Sequence, residues 1–473
     1  MRFLFTSTQN NQIPLINVSE IYSGLFELIM RGADGSIRYY CTAGSGMETF
    51  LLEEVKHKLE ATEVEHIPGR VFFRCTSALQ EVMRLKSAER LFLLLRKAPP
   101  TPLPRNPAKA SSAIQRSIVG SPDVWSHALS TWAALQAELD STLGRGQKRK
   151  REEQEEEEVK EERRSETGSV SSLTRPTFRV SCRCSGAIAR CYNSQNLSRI
   201  IGVAISRELG WKADLREPTL EVNVYLSDDH CVIGIPLLRH PLASRGYMKH
   251  TGLRSTIAWA MASLCPVQEA SLILDPMCGV GTTLLEAAQE CPNAVFIGMD
   301  SEEAQLQKAA ENVDAAGQES RMLLVRSSCM AIPLPASSVD VVLCDVPFGR
   351  KFSCSRDMTA ALPYILAEME RVLREGGYLV LLLSLQLSAQ VKKLLESSSP
   401  SRQPRATTHD EESPDSTHTV NTHISETDKH GCEAESLKLR SLVLQNTHRV
   451  SLGSTDALIH TYSKMRNTPE TVS

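Results

Sequence analysis

Paired cysteines are missing from this sequence. Its 13 cysteines are scattered singly, the nearest two being Cys182 and Cys184, so neither a CxxC zinc pair nor a disulfide framework can be read from them. Reduced, mostly buried thiols are the expectation, and no metal ligand set is expected. Also missing is an apolar run of the roughly 20 residues that a bilayer-spanning helix needs. The most continuous run, "YLVLLLSL" at Tyr378 to Leu385, has the length of a strand, which argues against membrane insertion. The N-terminus has neither the basic start nor the small-residue cleavage site of a secretory signal. A strong net charge is absent as well: 53 basic residues face 56 acidic ones, for a formal charge of -3.

That near-neutral total conceals segregation. "KRKR" at Lys148 to Arg151 runs directly into "EEQEEEE" at Glu152 to Glu158, within a stretch lacking apolar periodicity. Such a run reads as a solvated linker, expected over 144–173. The four contiguous bases fit a nuclear import signal as well as they fit that linker.

At 473 residues the chain is too long for one ordinary core, and two or three folded units are expected. Residues 1–36 show no clear period and stay unassigned. From Ile37 a β-rich start meets glycines, then a helix-period run (Phe50, Leu51, Leu52, Val55, Leu59), a strand at Val71 to Phe73, and a further helix and strand ending near Leu95. With the amphipathic helix "DVWSHALSTWAALQAELDSTL", this small α+β unit fills 37–143. A second α+β module is expected over 174–250, where "FRVSCRC", "LEVNVYL" and "CVIGIPL" have period two around the helical "LSRIIGVAISREL", leaving one solvated sheet face.

The remainder, 251–465, reads differently. Doubly apolar strands, "SLILD", "AVFIGMD", "VDVVLCD" and "GYLVLLLSL", alternate with helical segments such as "TTLLEAAQE". That alternation predicts an α/β fold with a parallel sheet buried on both faces. A polar stretch over 397–437 is expected to be a disordered insertion, two final strands to close the sheet as an antiparallel pair, and 466–473 to be a tail.

In such a sheet, ligands sit beyond the carboxyl ends of the strands. Asp275 ends the first strand, in "DPMCGVG", where Gly279 and Gly281 permit close approach of the backbone at the start of the next helix. A tight strand-to-helix turn alone also needs glycine. Position 284 is Leu rather than a third Gly, which weakens a nicotinamide-dinucleotide reading. Asp300 ends the next strand about 20 residues on, where a carboxylate accepts both ribose hydroxyls; capping the following helix is its plainer use. Asp345 ends "VLCD", followed by Pro347, which stiffens the loop, and Phe348, which offers a flat ring. A carboxylate and a carbonyl accepting both N–H bonds of an exocyclic amine would fix its lone pair while an aromatic ring stacks on the base. Arg245, Lys249, Arg254, Arg350 and Lys351 are candidate phosphate contacts, which position nucleic acid without reading its sequence.

These residues carry a resemblance. "DPMCGVGTTLLEAA", "GMD" and "DVPFGRKF" resemble the motifs of class I methyltransferases that use S-adenosylmethionine and modify guanine N2 in RNA. "FRVSCRCSG", "ADLREPTLEVNV" and "RGYMKHTGLRSTIAWAMA" resemble a THUMP RNA-binding domain and its junction, and "YYCTAGSGMETFLLEEV" is similar to the ferredoxin-like part that accompanies it. The chain is thus identified as a member of the THUMP-containing RNA guanine-N2 methyltransferases. The resemblance implies a Rossmann-like catalytic domain preceded by ferredoxin-like and THUMP domains. It assigns Asp275, Pro276, Cys278, Gly279, Gly281, Asp300, Ser327 and Ser328 to S-adenosylmethionine, and Asp345, Pro347 and Phe348 to the guanine. Ser327 and Ser328 depart from the family's habit of placing an acid near the adenine. Arg179 and Arg183, with Arg245, Lys249, Arg350 and Lys351, would contact RNA. The substrate implied is structured RNA, U6 spliceosomal RNA in one branch and tRNA in another, with a small zinc-binding activator subunit as partner and a nuclear setting. Three rivals stay open: an adenine-N6 or protein-amide methyltransferase, a non-catalytic RNA-binding scaffold, and, further off, an oxidoreductase.

Overall fold

The computed structural model describes residues 35–100, 104, 107–152, 176–265, 271–347, 355–398, 439, 441–453 and 455–465. The chain divides into two units between Arg245 and Gly246.

Among its described residues the first unit contains eight strands: β1 (Ile37–Thr42), β2 (Thr62–Ile67), β3 (Arg70–Cys75), β4 (Arg90–Ala98), β5 (Thr177–Cys184), β6 (Lys212–Ala213), β7 (Leu220–Leu226) and β8 (Cys231–Pro236). Its helices are α1 (Glu48–Leu59), α2 (Leu79–Val82), α3 (Pro107–Ile114), α4 (Pro122–Glu152), α5 (Gly186–Cys191) and α6 (Ser194–Leu209). All eight strands form one sheet, in the order β2-β3-β1-β4-β8-β7-β5-β6. The two α+β modules expected from the sequence as separate bodies therefore share a sheet, joined where β4 pairs antiparallel with β8, Leu93 opposite Ile235 and Ala98 opposite Cys231.

Period-two alternation sends one set of side chains from each strand toward the helices. Tyr39, Cys41, Val71, Phe73, Leu91 and Leu93 meet Leu51 and Val55 of α1. Phe178, Val222 and Val224 meet Leu197, Ile201 and Ile205 of α6. That helix starts where the Asn193 side chain accepts from the Asn196 amide at 2.7 Å, and it ends on left-handed Gly210. Helix α4 spans both cores: Trp125 and Leu129 enter the second, Leu135 and Leu139 the first. It also runs on to Glu152, nine residues into the span expected to be linker; the helix formers Gln147 to Glu152 continue it past Gly144 and Gly146, which by themselves disfavour it. The rest of that span, 153–173, lies outside the described residues.

The other face of the sheet is less solvated than the alternation predicts. Tyr40, Phe72, Phe92, Leu94 and Val232 are buried there, with the Tyr40 and Phe92 rings stacked at 4.6 Å and the Arg70 guanidinium 3.6 Å from the centre of the Tyr225 ring. Gly234 makes this possible. A Cβ there would lie 2.4 Å from Tyr40 Cε1, so only glycine leaves room for the ring.

The second unit contains β9 (Leu272–Asp275), β10 (Val295–Asp300), β11 (Met322–Arg326), β12 (Val339–Asp345), β13 (Leu373–Ser384), β14 (Leu442–Leu452) and β15 (Thr455–Lys464). The helices are α7 (Ser255–Ser263), α8 (Thr282–Glu290), α9 (Glu303–Ala315), α10 (Ser355–Val372) and α11 (Leu385–Ser398). The sheet order is β11-β10-β9-β12-β13-β15-β14. Strands β9 to β13 are parallel, and β15 pairs antiparallel with both β13 and β14, so the expected antiparallel closing pair is present. Val342, Cys344, Leu379, Leu381 and Leu383 are buried against Leu362, Ile365 and Met369 of α10. Helix α11 occupies the first two positions of the expected insertion, and 399–437 lies outside the described residues.

Candidate active site

Strand order reverses between β9 and β12, and the crevice above such a switch point is where α/β sheets bind ligands. Three acids line it by register. Asp275 pairs with Gly298 of β10, so Asp300 stands two residues farther along on that neighbour. Leu274 pairs with Val342 of β12, so Asp345 stands correspondingly higher on the other side. The three strand-end acids predicted from sequence thus come together, with Asp275 as the deepest.

Depth governs their chemistry. Asp275 is 1% exposed, and its carboxylate accepts from the Met277 amide at 3.1 Å. Burial pushes its pKa well above the usual carboxylate range; the Met277 hydrogen bond opposes this, and the charges of Asp345 and Asp300 add to it. Burial alone pushes Asp345 up to about 7. Asp300 is partly exposed and ties the site together: Oδ2 accepts from the Gly279 amide at 3.0 Å and Oδ1 from the Glu302 amide at 2.9 Å. A carboxylate has about four lone-pair sites, so each oxygen can accept again.

The loop from Asp275 to Gly281 is fixed from below. The Cys278 amide donates to the Met299 carbonyl at 2.8 Å, and the Gly281 amide to the Cys278 carbonyl at 2.8 Å. Pro276 is buried. The Cys278 thiol is buried too, and burial raises its pKa so far that it stays protonated and does not act as a nucleophile. Gly279 and Gly281 adopt φ of +54° and +82°, the left-handed region that favours glycine.

Two observations fit this loop to S-adenosylmethionine. A Cβ added at Gly279 would meet nothing within 4 Å, so open space lies against the backbone where a ligand has to approach. One turn on, the first amides of α8 have no partner within the helix and suit a carboxylate; the Thr282 hydroxyl there is buried without a hydrogen-bond partner, on the side of Gly252. Sequence reasoning missed Thr282, because a threonine in a first helical turn looks like an ordinary capping residue. At the far side, the Ser327 amide donates to the Asp300 carbonyl at 3.1 Å, placing Ser327 beside Asp300. The Ser328 hydroxyl accepts from the Met330 amide at 3.2 Å.

Beyond Asp345 the Val346 amide donates to the Leu382 carbonyl at 3.2 Å, so the sheet holds the strand end up to Pro347. Phe348, Arg350 and Lys351 lie outside the described residues. Of the other candidate RNA contacts, Arg183 is exposed. Arg179 pairs with Glu221 at 2.6 Å and Lys249 with Asp314 at 3.6 Å. Arg245 donates to the carbonyl oxygens of Leu242 and Lys86, which commits its guanidinium to holding a loop. Among the described residues no group of three or more His, Cys, Asp or Glu could hold a metal ion, and no helix is long and apolar enough to cross a membrane.

Comparison with known proteins agrees with this geometry. Residues 243–408 match the RMKL-like methyltransferase domain and residues 152–236 the THUMP domain. The chain is 40% identical over 483 residues to the U6 snRNA (guanine-N(2))-methyltransferase THUMPD2 of Bos taurus, covering 90% of this chain and 96% of that protein. With the Homo sapiens protein of that name it shares 37% identity over 493 residues, 92% of this chain and 97% of the other. The tRNA (guanine(6)-N(2))-methyltransferase THUMP3 of Bos taurus is 33% identical over 219 residues, 43% of each chain. Among solved structures, TrmN from Thermus thermophilus superimposes with a TM-score of 0.58 at 20% identity, over 90% of this chain and 99% of that one, which establishes the shared fold. With near full-length identity of this degree, the chain belongs to the THUMP-containing RNA guanine-N2 methyltransferases typified by the THUMPD2 proteins.

Proposed function

We propose that this protein transfers a methyl group from S-adenosylmethionine to the N2 amine of a guanosine in U6 small nuclear RNA. The observation that carries the reading is Asp345, a strand-end carboxyl with a pKa of about 7, standing at the same switch point as the glycine loop and Asp300. Near full-length similarity to U6-specific relatives, against a 43% match to a tRNA enzyme, favours U6 RNA over tRNA.

When bound, S-adenosylmethionine supplies a methyl already activated on a sulfonium. Asp275 and the left-handed turn at Gly279 and Gly281, with Pro276 and Cys278, hold its methionine end. Asp300 holds the ribose, and Ser327 and Ser328 line the adenine side. The remaining task is alignment. The guanine amine has its lone pair delocalised into the ring, so its nitrogen must be turned to present that lone pair in line with the methyl. Ionised Asp345 accepts an N–H of this amine, fixes its direction and takes up the proton released as the new bond forms. Pro347 stiffens the strand exit, and Phe348 is assigned the stacking platform.

The first unit, with its THUMP domain, holds the RNA. Exposed Arg183 is its best placed phosphate contact, with Arg179, Lys249, Arg350 and Lys351 as further candidates. A small zinc-binding activator subunit is proposed as a partner covering apolar surface of the catalytic unit, a reading supported by exposed Leu323 on edge strand β11 and exposed Met330 in the loop after it. A nuclear site of action follows from the substrate and from the basic run at 148–151.

The test is mass spectrometry of nucleosides after incubating the protein with S-adenosylmethionine and either U6 RNA or tRNA. N2-methylguanosine in U6 RNA is expected. N6-methyladenosine, or methylation confined to tRNA, overturns the assignment.

A further inference from the structure

The chain enters the second unit through residues 246–254, and this connector is fastened directly to the cofactor loop. Asn312 of α9, 0% exposed, uses its whole amide for the purpose. Its Oδ1 accepts from the His250 amide at 2.8 Å, and its Nδ2 donates to the His250 carbonyl at 2.9 Å and to the Val280 carbonyl at 3.0 Å. Val280 is the residue between Gly279 and Gly281. One buried side chain therefore holds both peptide groups of His250 and the crown of the glycine loop.

Two residues on, Gly252 presses on the same loop. A Cβ there would lie 2.8 Å from Val280 Cγ2 and 3.0 Å from Thr282 Oγ1, so connector and loop fit only while position 252 is glycine. Outer contacts brace the connector: the Tyr247 hydroxyl donates to Glu286 of α8 at 2.8 Å, and His250 Nε2 lies 2.8 Å from Glu311 of α9.

We infer that Asn312 is a positioning residue that locks the connector to the cofactor loop, so that the order of the connector sets the affinity of the loop for S-adenosylmethionine. The inference rests on the function proposed above in taking that cofactor as the ligand. The connector is also the covalent link to the THUMP-containing unit, and coupling between sites is reciprocal. Restraining the connector through bound RNA thus tightens the loop on the cofactor, and the bound cofactor orders the connector.

Two variants approach the lock from opposite sides. Asn312→Leu keeps the branched shape of the side chain and removes three hydrogen bonds; Gly252→Ala keeps the hydrogen bonds and pushes on Val280. Val313→Ala, a buried neighbour in α9 that makes none of these bonds, serves as a control for plain destabilisation. Hydrogen exchange of the full chain without cofactor comes first. In Asn312→Leu, faster exchange is expected at 247–254 and at 278–281 together, and not in Val313→Ala. Isothermal titration with S-adenosylmethionine should then show affinity about tenfold weaker in Asn312→Leu and in Gly252→Ala, with Val313→Ala like wild type. KM for RNA should move less than KM for the cofactor. If Asn312→Leu is too unstable to purify, Gly252→Ala carries the titration. Wild-type affinity in both variants, or faster exchange confined to one of the two segments, overturns the lock. A wild-type protein that binds no S-adenosylmethionine overturns the proposed function instead, while the exchange result still decides whether the two segments are mechanically one.

Discussion

Asp345 behaves as a weak acid at the pH where the enzyme has to work. Its native pKa of about 7 exceeds the ordinary value of 3.8 because burial disfavours the charge, so the folded protein holds this proton more tightly than the unfolded chain does. The sign follows for stability: the favourable contribution is complete below about pH 4 and is lost as pH rises through 7. Asp345→Asn, which has no charge to bury, should therefore gain on wild type between pH 5 and pH 8 by on the order of 2 kcal/mol, read as a widening difference in Tm. Only the ionised form can take up the proton of the amine, so wild-type kcat/KM should climb through pH 7 and level off above it. The Asn variant should be at least about 100-fold slower with a flat profile and unchanged cofactor affinity. A variant that keeps the wild-type slope would remove Asp345 from the proton path. At this scale the sequence was informative wherever a residue ends an apolar run: Asp275, Asp300 and Asp345 were legible for that reason. Thr282 and Asn312 were not, because the first matters through a partner it lacks and the second through main-chain groups 32 and 62 residues away, and neither leaves a local pattern.

Among the elements, the turn from β9 into α8 does most to shape the site. Gly281 caps the helix at φ +82°, where alanine costs about 1–2 kcal/mol, and relief of that strain would rotate the first amides of α8. Gly281→Ala should thus bind S-adenosylmethionine about tenfold more weakly while leaving RNA retention as it was, as filter binding and calorimetry on the same preparation can decide. Equal affinity would mean that the turn tolerates a side chain and that the open space at Gly279 alone serves the ligand. The elements of the catalytic unit were readable from sequence because buried parallel strands are apolar throughout and alternate regularly with helices. Helix α4 was misjudged at its end, since a run of charge looks alike whether coiled or helical; intrinsic propensity was the better guide there than the absence of apolar period.

At the scale of the whole molecule, the chain builds two units, and a lesion in the core of the first should leave cofactor binding, measured without RNA, as it was. Gly234→Val places a branched side chain where even a Cβ would meet Tyr40 at 2.4 Å. It should open the β4–β8 seam, weaken RNA retention by an order of magnitude or more, and leave calorimetric S-adenosylmethionine affinity at the wild-type value. The seam was illegible beforehand because sequence periodicity reports which face of a strand is buried and not which strand lies beside it.

That seam also sets a timetable for synthesis. Strand β4 is complete at Ala98, but the partner for its open edge, Cys231 to Pro236, is made roughly 130 residues later, about 7–25 s at ordinary elongation rates. During that interval "RLFLLLRKA" presents an unpaired apolar edge, the arrangement most prone to pairing with a neighbouring nascent chain. The N-terminal half of the sheet thus reaches its native state only after the THUMP strands have left the ribosome, and the interval in which β4 can mispair lengthens as translation slows.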